Sequence, residues 1–164
     1  MEIKVRFRKI IVPALISGLI VLSYSITSYY YNAHMASSLG VRFYSNYIES
    51  MIAIRSMTEV AVLLFAGAVA YFLCHKREGT VIERFASGIS IPLFLGLISV
   101  FILALYPSLL YGNIFAENQG YHSRLVGQSI VNWIIGMLEI FCGGALIHFI
   151  ISVKAIIRKE ELIR

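Results

Sequence analysis

"NWIIGMLEIFCGGALIHFII", Asn132 to Ile151, is apolar enough to cross a bilayer, yet it carries a carboxylic acid, Glu139, near its middle. An α-helix rises about 1.5 Å per residue, so about twenty such residues cover the hydrocarbon core of a membrane. Three further blocks have the same character. They begin with "IIVPALISGLIVLSYSITSYYY" from Ile10, "MTEVAVLLFAGAVAYFLC" from Met57 and "FASGISIPLFLGLISVFILALYPSLLYG" from Phe85. Backbone amides in lipid must bond within their own segment, and none of the blocks shows the strict alternation of a barrel strand. The reading is an all-α membrane protein, a four-transmembrane-helix up-down bundle. Its helices are expected at about 10–31, 57–76, 85–112 and 128–153, with outer loops at about 32–56 and 113–127, all in one membrane domain.

Composition points the same way. The chain of 164 residues is 59% hydrophobic and only 14% charged, whereas soluble domains carry about a quarter charged residues. The net charge of +5 does not suggest nucleic acid, because the basic residues sit at the ends of the apolar blocks. Lys4, Arg6, Arg8 and Lys9 precede the first block. Lys76, Arg77 and Arg84 lie between the second and third, and Lys154, Arg158, Lys159 and Arg164 follow the fourth. Only Arg42, Arg55 and Arg124 fall on the other side. Such a bias places both termini in the cytoplasm. Tyr29, Tyr30, Tyr31, Tyr106, Tyr111 and Trp133 then lie near the outer interface, where amphipathic rings are favoured. The basic start resembles the n-region of a signal peptide, but the apolar run is long and ends in tyrosines, so a retained signal anchor is expected. The expected location is the plasma membrane of a prokaryote.

Small and polar residues mark the faces along which the helices meet. On the fourth block Gln128, Asn132, Gly136, Glu139 and Gly143 fall within about 60° of arc at 100° per residue, a stripe that faces protein rather than lipid. The second block offers Glu59, Leu63, Ala66, Ala70 and Cys74, the third Gly88, Pro92, Gly96 and Ser99, and the first Ala14, Gly18 and Ser25. Pro92 and Pro107 are expected to bend the third helix. In the first outer loop, "RFYSNYIESMIAIR" (42–55) is amphipathic, suited to lying in the interface or extending the second helix.

Glu139 is the leading candidate for function. An intramembrane acid is costly and serves either as a proton or cation carrier or as a hydrogen-bonded joint between helices, with Tyr24, Ser25 or Ser99 at comparable depth. Gln128, Asn132, Gly136 and Gly143 belong to the same packing face. His148 lies about 180° around the helix from Glu139, so the two form no single site; it could face a haem, a quinone or a partner subunit. Arg55 and Glu59, one turn apart, are expected as an ion pair. His34, His122 and Glu117 fit no metal-ligand spacing. Aspartate is absent and the two cysteines, Cys74 and Cys142, lie in separate apolar blocks, so Asp-based hydrolysis and paired-thiol redox chemistry are disfavoured. No cofactor and no catalytic activity of its own are expected. The favoured function is a non-catalytic structural or accessory subunit of a larger membrane complex, in contact with lipid and with other subunits or copies of itself. A small proton-coupled transporter or channel using Glu139 comes second, and an electron-transfer subunit using His148 third.

Overall fold

The computed structural model describes residues 6–39, 57–106 and 119–161. They form four helices: α1 (Phe7–Leu39), α2 (Met57–Lys76), α3 (Val81–Leu105) and α4 (Gln119–Glu161). Each contains a segment long and apolar enough to span a membrane. The chain is an integral, multi-pass membrane protein with an up-down bundle. Three helices run past the expected limits: α1 begins at Phe7 and continues through residues 32–39, α3 begins at Val81, and α4 begins nine residues before Gln128 and ends after Val153. Apolar content measures the thickness of lipid, whereas a helix continues for as long as its backbone bonds are satisfied. The third helix ends at Leu105, where the Tyr106 N–H donates to the Ile102 carbonyl; Pro107 and the segment 42–55 lie outside the described residues.

The junction between α2 and α3 shows how the bundle is held at its basic end. Helix α2 closes with a left-handed cap: Glu78 has φ 56°, its N–H donates to the His75 carbonyl at 2.9 Å, and the Gly79 N–H donates to the Cys74 carbonyl at 3.0 Å. These two bonds satisfy carbonyls that the helix end would leave open. Gly79 must lack a side chain, because a Cβ there would collide with the Cys74 sulfur. Helix α3 then starts at once. Thr80 and Glu83 form a capping box, with the Glu83 N–H donating to Thr80 Oγ1 at 3.3 Å and the Thr80 N–H donating to Glu83 Oε2 at 2.8 Å. The sequence TVIE carries this signal, and it moves the helix start four residues ahead of Phe85.

Glu83 also reaches α1. Its Oε1 accepts the Arg6 N–H at 2.7 Å, and the side chain is 1% exposed. One carboxylate thus serves the N-termini of two parallel helices, both of which favour negative charge. Lys9 Nζ donates to the Glu78 carbonyl at 2.9 Å and completes the tie between α1 and the hairpin.

Higher in the bundle α1 and α3 share a second joint. Pro92 lacks an N–H, so the carbonyl of Gly88, four residues earlier, loses its helical donor. The hydroxyl of Ser17 on α1 donates to that carbonyl at 2.9 Å, in a buried setting. Gly18, beside it, allows Ile91 to pack directly on the α1 backbone.

The most extensive packing joins α2 and α4, which are parallel and not consecutive. A Cβ on Gly67 would overlap the Ile140 carbonyl, and a Cβ on Gly143 would overlap that of Leu64. Each glycine therefore sits against a carbonyl three residues before the other helix's glycine. Ile140 is 1% exposed and fills the space between Gly67 and Gly88. Helix α3 meets α4 where the Trp133 ring lies over Gly96 and where Phe85 contacts Gly144. Helices α2 and α3 touch each other and both flanking helices, whereas α1 and α4 scarcely meet. The bundle is a rhombus with α2 and α3 on its short diagonal.

Candidate functional site

The stripe on α4 divides in two. Gly136 and Gly143 are buried, whereas Gln128, Asn132 and Glu139 are half-buried along the flank. Ile140 points into the core, so Glu139, one residue earlier, is turned by about 100° away from it. Gly143 and its contact with Leu64 mark the side toward α2, and the polar row falls on that side. Gln128 Nε2 donates to Asn132 Oδ1 at 3.4 Å, a weak bond within one turn. Gln128, Asn132 and Glu139 all have further interactions within the chain.

Glu139 lies at mid-depth. Its neighbour Ile140 packs on Gly67, which precedes Lys76 by nine residues, or about 14 Å at the helical rise. That is about half the thickness of a hydrocarbon core. Glu139 Oε2 is buried. Ser25 and Ser99 do not serve as its partners: both are exposed and donate to carbonyls of their own helices, Val21 and Leu95, at 2.9 Å. A hydroxyl in a helix often bonds four residues back, and that local partner wins here.

His148 faces a different set of groups. Its Nδ1 is 2.5 Å from the Tyr71 hydroxyl, and Tyr71 is fully buried on α2. Phe85 of α3 packs edge-on to Tyr71, with centroids 5.0 Å apart, and stacks on Phe141 of α4 at 4.6 Å. The Arg84 guanidinium lies 5.7 Å above the Tyr71 ring, and its Nε donates to the Gly79 carbonyl at 2.7 Å. Three helices therefore converge on one aromatic cluster, and His148 is tied into it by a hydrogen bond.

Glu59 stands half-buried in the first turn of α2, engaged within the chain; Arg55, its expected partner, lies outside the described residues, as does Glu117. Among the described residues no group of three histidine, cysteine or glutamate side chains could hold a metal ion. A groove of about 790 Å³ opens between the outer halves of α1 and α2, lined by Ile16, Leu19, Ile20, Val62 and Phe65 among others. Its surface is almost wholly apolar, as suits lipid tails.

Tyr71, Glu83 and Ser17 do not stand out from apolar periodicity. For Glu83 the capping-box spacing is a readable signal. For Ser17 the signal is a proline on another helix, which only the packing pairs with it. Comparisons with known protein families, with curated proteins and with solved structures find no match.

Proposed function

We propose that this chain is a non-catalytic accessory subunit of a larger membrane assembly, held in the plasma membrane of a prokaryote with both termini in the cytoplasm. The observation that carries the reading is the half-buried polar row Gln128, Asn132 and Glu139 at membrane depth. Lipid tails offer polar side chains no hydrogen-bond partner. Other outward positions on α4 hold plain aliphatic side chains, such as Val131, Ile134 and Leu138. A flank that keeps three polar groups partly open among them is suited to contact with protein. Gln128, Asn132 and Glu139 also have interactions within the chain, and Ser17, Glu83 and Tyr71 join the bundle's own helices.

The test is purification of the full chain from its native membranes in mild detergent, followed by mass spectrometry. Other integral membrane proteins at fixed stoichiometry are expected. Recovery of this chain alone, whether as monomer or oligomer, overturns the proposal.

A second reading is favoured by the mid-depth position of Glu139: proton-coupled transport through that carboxyl. Glu139→Gln keeps size and hydrogen bonding but removes titration. Unchanged proton flux in liposomes would remove the residue on which this reading depends.

A further inference from the structure

We infer that His148 holds the ring carbonyl of a lipid-soluble quinone, donating to it from Nε2 near the basic end of the bundle. The inference does not depend on the accessory-subunit reading, because every group it uses belongs to this chain.

The placement of protons is the first ground. Tyr71 is fully buried, and among the described residues its hydroxyl has a single partner, His148 Nδ1. A buried phenol proton without an acceptor is costly, so the hydrogen-bond network assigns the roles: the hydroxyl donates and Nδ1 accepts. An imidazole that accepts at Nδ1 carries its own proton on Nε2. Nε2 makes no hydrogen bond among the described residues and is not enclosed by the bundle. The ring, held by a buried phenol, therefore turns an N–H donor outward.

Depth is the second ground. Tyr71 precedes Lys76 by five residues and His148 precedes Lys154 by six, which puts the pair about 8 Å inside the level of those lysines. A donor left bare among acyl chains is unfavourable. The ester carbonyls of phospholipids belong to the interfacial layer outside the hydrocarbon core. The acceptor that reaches this depth is a carbonyl on an otherwise apolar molecule.

The aromatic surroundings are the third ground. Phe85 and Phe141 stack with centroids 4.6 Å apart and planes at 23°, and the His148 ring lies 6.2 Å from Phe85. Phe141 is 44% exposed, so the stack reaches the bundle surface near the imidazole. Flat aromatic faces close to a donor suit a planar ring that bears a carbonyl. Haem iron takes a lone pair from its histidine, and Nε2 presents a proton instead. Ligation there would move that proton to Nδ1 and leave the Tyr71 hydroxyl without its acceptor.

For the test, the full chain, isotopically labelled at its histidine nitrogens, is placed in phosphatidylcholine nanodiscs and titrated with decylubiquinone. Before titration the nitrogen NMR spectrum of His148, identified by its loss in His148→Phe, is expected to show the proton on Nε2; a proton on Nδ1 overturns the inference. Saturable retention of one quinone per chain is expected, with a shift of the Nε2–H signal. His148→Phe keeps an aromatic ring and weakens retention about tenfold, the scale of one hydrogen bond. Tyr71→Phe leaves the imidazole in place but frees its tautomer, and weakens retention by a smaller factor; it decides the matter if the first variant does not fold. Retention that never saturates, or that neither variant changes, overturns the site. An Nε2–H signal that ignores quinone and follows the ester content of the lipid overturns it too, by giving the donor to phospholipid.

Discussion

Pro92 has no N–H to offer the Gly88 carbonyl, and Ser17 offers its hydroxyl instead. The two residues lie on different helices, so the bond joins α1 to α3 where α3 is open. Ser17→Ala is expected to cost about 1 kcal/mol, the scale of a side-chain hydrogen bond in a membrane bundle. In a Pro92→Ala background the restored N–H returns to the carbonyl, and the same serine substitution should cost much less. A double-mutant cycle on thermal unfolding in detergent reads the difference. Glu78 presents the opposite case, a non-glycine residue at φ 56°. Glu78→Gly relieves a conformational cost of about 1 kcal/mol, and a higher unfolding midpoint is expected; no change would mean that the cap tolerates its side chain. Residue-scale joints of this kind were the least legible in the sequence. Glu83 carries a local mark, because Thr80 stands three residues before it. Tyr71 and His148 carry none, since their meeting depends on how α2 crosses α4.

At the scale of elements, the crossing of α2 and α4 depends on two positions without side chains. Gly67→Ala or Gly143→Ala places a methyl group against the facing carbonyl, and the helices must separate. Each is expected to cost about 2 kcal/mol, within the range for overpacking. The double variant should cost less than the sum, because the first substitution already opens the gap for the second; strictly additive losses in thermal unfolding would show that the contacts are independent. Much of this level could be read beforehand. The α2 face Leu63, Ala66, Ala70 and Cys74 is buried as the stripe implies, and so are Gly88, Pro92, Ala14 and Gly18. Ser25 and Ser99 lie at the outward ends of their stripes, where helices no longer crowd one another. On α4 the stripe was too broad a unit: a span of about 60° holds both glycines that touch α2 and polar groups that border it. Rotational position within such an arc is set by the partner helix, not by the period of the sequence.

For the whole molecule, the apolar blocks were enough to establish four crossings, because bilayer thickness constrains length so strongly. They said nothing of the rhombic arrangement, since every pair of antiparallel neighbours satisfies the same pattern. The up-down order brings Arg6, Lys76 and Arg84 to one end, where Lys9, Glu78 and Glu83 bind the helix ends together. If that end faces the cytoplasm, single cysteines placed near either terminus are expected to escape a membrane-impermeant thiol reagent in intact cells and to react in inverted vesicles. Labelling of one terminus from each side would contradict the up-down order.

The joint between Ser17 and Gly88 also bears on biosynthesis. Segments leave the ribosome in order, and the oxygen exposed by the proline enters lipid with the third segment, when the first has already crossed. A fragment holding only the second and third segments would carry that bare oxygen among acyl chains. The first segment is thus the companion that awaits the hairpin behind it, and cutting it away as a mere leader would strand its successor's oxygen in a solvent that cannot donate to it.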